Sequence, residues 1–142
     1  MAGRPLTTDN YPLAEKSPNR VAGHRGKSLD DLTLEAVLAG DVEMEDLRIT
    51  PNALLQQAEI ARSAGRAALA RNFERAAEMT RVPQEEIMEI YELLRPGRTR
   101  SIENLHDIAQ RLRFDFEAPL LARLVEEAAS TYEKRGLFST RY

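Results

Sequence analysis

Leu69-Ala-Arg-Asn-Phe-Glu-Arg-Ala-Ala-Glu-Met-Thr80, followed by Arg81-Val-Pro-Gln-Glu-Glu-Ile-Met-Glu-Ile-Tyr-Glu-Leu-Leu-Arg95 and Pro96-Gly97, decides the fold class. Leu69, Phe73, Ala76, Ala77 and Thr80 recur at helical spacing and so share one face of a helix. Ile87, Ile90, Tyr91 and Leu94 repeat the pattern in the next segment, with Glu85, Glu86, Glu89 and Glu92 on the other side. Pro83 suits a first helical turn, where its missing N–H costs nothing, and Pro96-Gly97 closes the helix. The stretch predicts two amphipathic helices back to back, to which other helices are added.

Working outward, Thr50-Pro51 pairs a side-chain cap with proline at the first helical position. The helix it starts runs to about Ala64, turns Leu54, Ala58 and Ala61 inward and stops at Gly65. Further upstream, Thr33 caps a short helix carrying Leu34, Val37 and Leu38 and ending at Gly40, and a second turn spans Met44 to Leu47. Downstream, Ser101 caps a helix with the stripe Leu105, Ile108, Ala109 and Leu112, and Phe114 and Phe116 lie just beyond it. Pro119 opens a last helix with Leu121, Leu124, Val125, Ala128 and Tyr132, which stops at Gly136. No segment alternates as a strand does, so the class is all-α: a small bundle of about five helices over residues 29–142.

Residues 1–28 read differently. Pro5, Pro12, Pro18, Gly23 and Gly26 punctuate them and no period is sustained, which predicts an extended N-terminal arm, unstructured as a free segment. Tyr11-Pro-Leu-Ala14 is its one apolar spot, and it suits an arm laid on a partner and anchored by Tyr11 and Leu13.

Composition excludes several function classes. The 142 residues are 30% charged with a net charge of -3, the reverse of the basic field of a dedicated nucleic-acid binder. There is no cysteine, hence no disulfide, thiol chemistry or thiolate metal site. No apolar run approaches membrane-spanning length and no signal-peptide core opens the chain, so a cytoplasmic location is the expectation.

The candidate chemistry consists of near misses. Gly23-His-Arg-Gly26-Lys27-Ser28 resembles the end of a phosphate-binding loop, but two residues separate its glycines where four are needed. Glu103 and His106 have the Glu-x-x-His spacing of di-iron bundles, yet the only other histidine, His24, lies in the arm. The carboxylates Glu85, Glu86, Glu89, Glu92, Glu126 and Glu127 sit opposite the apolar stripes, which makes them solvated or partner-facing rather than acid–base groups. Arg95, Arg98 and Arg100 form the densest basic spot, and Arg95 in a last helical turn also complements the helix dipole. Arg62, Arg66, Arg71 and Arg75 around Gly65 could be taken for a helix-turn-helix, but Glu74 and Glu78 lie among them. The expectation is no catalytic, cofactor-binding or metal-binding residue on this chain.

Six segments, in order, carry a resemblance: Tyr11-Pro-Leu-Ala14, Thr33-Leu-Glu-Ala-Val-Leu-Ala-Gly40, Leu47-Arg-Ile-Thr-Pro51, Gln57-Ala-Glu-Ile-Ala61, Ala70-Arg-Asn-Phe-Glu-Arg-Ala-Ala-Glu78, and Val82-Pro83 through Ile90-Tyr91 to Leu94-Arg-Pro96. Together they resemble the small (gamma) subunit of the adenosylcobalamin-dependent diol and glycerol dehydratases, colinearly from about residue 10 to 135. The resemblance implies a helical, non-catalytic subunit packed on a large barrel subunit, with a medium subunit completing a heterotrimer and two heterotrimers paired. It implies cobalamin held between the large and medium subunits, radical dehydration of propanediol or glycerol to an aldehyde, and a cytoplasmic or microcompartment location. Leu124, Glu126, the tail from Gly136 to Tyr142 and the short arm before Tyr11 depart from the family pattern, which bears on substrate preference. The alternative from a different class is a free helical regulatory or nucleic-acid-binding module using the arginines near Gly65.

Overall fold

In the computed structural model, which describes residues 3–138, the helices are α1 (Leu13–Lys16), α2 (Leu34–Leu38), α3 (Met44–Leu47), α4 (Pro51–Ser63), α5 (Ala67–Met79), α6 (Gln84–Leu94), α7 (Ile102–Phe114) and α8 (Pro119–Lys134). No strand occurs among the described residues, so the all-α expectation holds, with the five long helices α4 to α8. Residues 1–2 of the arm and 139–142 of the departing tail lie outside the described residues. The chain divides into two units, one running to Ala77 and the other starting at Glu78, so the boundary falls inside α5.

The first unit is built on α4. Thr50 Oγ1 accepts the Ala53 N–H at 3.0 Å and Pro51 takes the first helical position, as the sequence predicts. Gly65, at φ +75°, reverses the chain, and the Arg66 N–H returns to the Ala61 carbonyl at 2.9 Å. Ala58, Ala61 and Ala70 then pack together with Phe73 over their edge.

The arm consists of short turns joined by extended residues, and it is fastened to α4. Leu6 and Leu13 are buried against Ile60, with Val21 beside them. Glu59 Oε2 accepts the Leu6 N–H at 2.8 Å, Ser63 Oγ accepts the Thr8 N–H at 2.9 Å, and Gln56 Nε2 donates to the Arg20 carbonyl at 3.0 Å. Two buried leucines, at roughly 1.5–3 kcal/mol each, offset part of the entropy of ordering the turns they anchor.

The second unit centres on α7 and α8 rather than on the α5–α6 stretch. Leu105, Ile108, Ala109 and Leu112 of α7 are all buried against Ala118, Ala122, Val125 and Ala129, with Val82 joining them from before α6. Ser101 Oγ caps α7 through the Asn104 N–H at 3.3 Å. The Tyr132 hydroxyl donates to the Leu94 carbonyl near the end of α6. At the α7–α8 turn, Arg113 grips Glu126 with two hydrogen bonds, at 2.7 and 3.1 Å.

That pair gives a pH prediction. The Arg113 hydrogen bond holds the Glu126 carboxyl below its ordinary value of 4.5, while partial burial pushes the other way. A carboxyl with a lower folded than unfolded pKa stabilises the fold above the unfolded value, and that contribution disappears as pH falls through the folded one. Glu126→Gln is therefore expected to lose less stability than the parent between neutral pH and about pH 3.5. Urea midpoints at the two pH values check this, and identical losses would contradict it.

Candidate partner-facing surfaces

The residues singled out for chemistry are scattered or occupied. Glu103 and His106 are both exposed on α7, and no group of three or more metal-ligating side chains gathers among the described residues. The Gly23–Ser28 stretch folds on itself. The Gly23 N–H donates to the Lys27 carbonyl at 2.9 Å and the Gly26 N–H to the Gly23 carbonyl at 3.0 Å, so these donors do not cradle an anion. Gly23 is needed for space: a Cβ there would lie 3.0 Å from the Asp46 carbonyl oxygen. Arg25 reaches Asp46 Oδ2 at 3.1 Å and Glu43 at 3.2 Å, and His24 Nε2 lies 3.1 Å from the Ile49 carbonyl.

Five of the six carboxylates expected to face solvent or a partner have partners within the chain. Glu86 and Glu89 straddle Arg111 at 3.0 and 3.8 Å, because α7 lies alongside α6. Glu126 belongs to Arg113. Glu92 pairs with Arg95 and Glu127 with Arg123 along their own helices, at 3.3 and 3.6 Å. Around Gly65 the basic cluster is partly neutralised, since Arg62 meets Glu74 at 2.6 Å.

Glu78 is not the surface charge of α5 that its position in the sequence suggests. It is buried, and its two oxygens accept the Leu120 and Leu121 N–H groups at 3.1 and 2.9 Å. Pro119 signals a helix start without a preceding cap residue, so the first turn of α8 needs an acceptor from elsewhere. The burial of Leu6 is equally hidden in the sequence, because nothing local distinguishes an apolar residue that packs on a helix some fifty positions away.

Large apolar side chains stand open in both units. In the first unit Tyr11 stands 60% exposed while its neighbour Leu13 is buried, so the expected pair of arm anchors is divided between inside and outside. In the second unit a groove of about 180 Å³ runs between α6 and α8. Ile87, Ile90, Tyr91 and Leu94 form one wall, Leu121 and Leu124 the other, and Met79, Val82, Leu112 and Val125 complete the lining. Tyr91 and Leu124, expected inside, are therefore partly exposed on this groove. This groove does not suit a corrinoid, since it offers no hydrogen-bonding side chain for ring amides apart from the Tyr91 phenol.

Among the described residues the chain is all-helical, with large apolar side chains left exposed in both units. The chain matches the sequence model of the dehydratase small subunit over residues 6–139. It is 51% identical over 126 residues to the propanediol dehydratase small subunit of Citrobacter freundii, covering 89% of this chain and 73% of that one. To the propanediol dehydratase small subunit of Salmonella typhimurium LT2 it is 48% identical over 132 residues, covering 93% and 76%. The chain belongs to the dehydratase small-subunit family. No helix among the described residues is long and apolar enough to cross a membrane.

Proposed function

We propose that this chain is the non-catalytic small subunit of a cobalamin-dependent diol dehydratase, acting in the cytoplasm or in a microcompartment there. The observation that carries the reading is the family match across residues 6–139, supported by about half identity to two propanediol dehydratase small subunits. The holoenzyme converts a vicinal diol, propanediol or glycerol, to an aldehyde and water. Adenosylcobalamin, held by the large and medium subunits, supplies the radical chemistry. This chain contributes surface: it packs on the large subunit and stabilises the assembly, two heterotrimers being paired. No residue here is assigned to substrate, metal or cofactor.

Co-expression with cognate large and medium subunits tests the reading. The chain is expected to co-elute with both on gel filtration, and the complex is expected to dehydrate propane-1,2-diol while the chain alone does not. A chain that stays at monomer size while the other two form active enzyme without it would overturn the reading.

A further inference from the structure

From Leu29 to Ile49 the chain combines two features that its own fold uses only in part, Asp31 bonding Ser28, Glu43 and Asp46 meeting Arg25, and Glu45 meeting Arg48. It carries seven acidic residues against the single basic Arg48, although the whole chain is only -3. It also turns its large apolar side chains outward: Leu34 is 69% exposed, Leu38 78% and Met44 70%. Helix α2 has no buried residue at all, so its Thr33 cap orders a helix whose stripe covers nothing of its own. Asp31 is kept ionised by the Ser28 N–H and hydroxyl, which hold its carboxyl below the usual range. Apolar side chains exposed together on an ordered segment mark an interaction surface rather than scattered surface residues.

The charge selects the occupant. Nucleic acid and anionic lipid are repelled by an acidic strap, and a two-fold pairing of this chain would set one strap against another. A face offering apolar sockets edged by arginine or lysine satisfies both features at once. We infer that residues 29–49 are the strap by which this chain docks on the large subunit, Leu34 and Leu38 entering apolar sockets and the surrounding carboxylates meeting a basic rim. The inference rests on the proposed function and names the surface that performs it.

The experiment uses the full chain and its cognate large subunit, with affinity and association rate read by interferometry and the state of the free chain by sedimentation. Leu34→Ser combined with Leu38→Ser is expected to weaken binding about a hundredfold, because truncated central anchors dominate interface energy. The helical circular dichroism should not change, since both side chains are exposed in the free chain. Asp30→Lys combined with Asp41→Lys is expected to slow association about tenfold at low salt, the difference vanishing as salt rises. If the parent chain binds and both variants bind equally well, the strap is not the contact, while the family-level function stands. If the parent chain itself does not bind the large subunit, both fall together. A free chain that sediments as a dimer and is made monomeric by the leucine pair would assign the strap to a second copy and overturn the inference.

Discussion

Leu105→Ala is expected to remove about 3–4 kcal/mol from the second unit, within the range found for fully buried leucines. Leu105 is completely buried on α7, among Ile108, Leu112, Ala122, Val125 and the rest of the α7–α8 core. Its neighbours include Ala118, just before α8, and Ala122 and Ala129 on it, none of which has the side-chain length to collapse into the space left behind. The cavity therefore persists, and the cost should sit in the upper part of the range rather than at the bare transfer energy. A unit of roughly sixty residues has only about 3–9 kcal/mol in total, so the variant should leave it near its unfolding midpoint. Hydrogen exchange of the full chain checks this, with protection of the α7 and α8 amides expected to collapse. Ile108→Val, which removes one methylene, should cost about 1 kcal/mol. Equal protection in Leu105→Ala and the parent would mean that α7 is not the centre of this unit.

The expected cost follows from periodicity that the sequence displays openly. All four stripe positions of α7 are buried, as are Leu54, Ala58 and Ala61 of α4, and Thr33, Thr50 and Ser101 cap where their spacing says they should. These features are local: a stripe or a cap is written within a dozen residues. What covers a stripe is not local. Leu34, Val37 and Leu38 have the same spacing as the buried sets, yet they point outward, because a 3.6-residue period marks a face as apolar without naming its cover. Tyr91 and Leu124 show the same limit on the groove between α6 and α8. The fold class was thus readable from patterns, whereas the partner-facing surface became visible only as the difference between apolar residues and buried ones. Family membership came from colinear segments of which none is a motif.

Glu78 illustrates the non-local part, and its replacement is the second large effect expected. In Glu78→Ala, two N–H groups of the first turn of α8 lose their acceptors, and the positive end of the helix dipole loses a carboxylate. Opposing this, Glu78 stands near the C-terminal end of α5, where a negative charge is unfavourable and its removal returns about 0.3–1 kcal/mol. Hydrogen bonds to a charged acceptor contribute about 1.5–3 kcal/mol each when buried. Leu120 is partly exposed, so water replaces some of what its N–H loses. The capping side still wins, and a net destabilisation of about 2–3 kcal/mol is expected. Glu78→Gln keeps one acceptor oxygen and removes the charge, so it should lie about midway. Urea unfolding orders the three proteins, and faster exchange at the Leu120 and Leu121 amides localises the loss. Were the unfavourable position at the end of α5 to outweigh the capping, Glu78→Gln would be more stable than the parent. The sign of that single substitution therefore decides whether this carboxylate belongs, energetically, to the helix that carries it or to the helix that it caps.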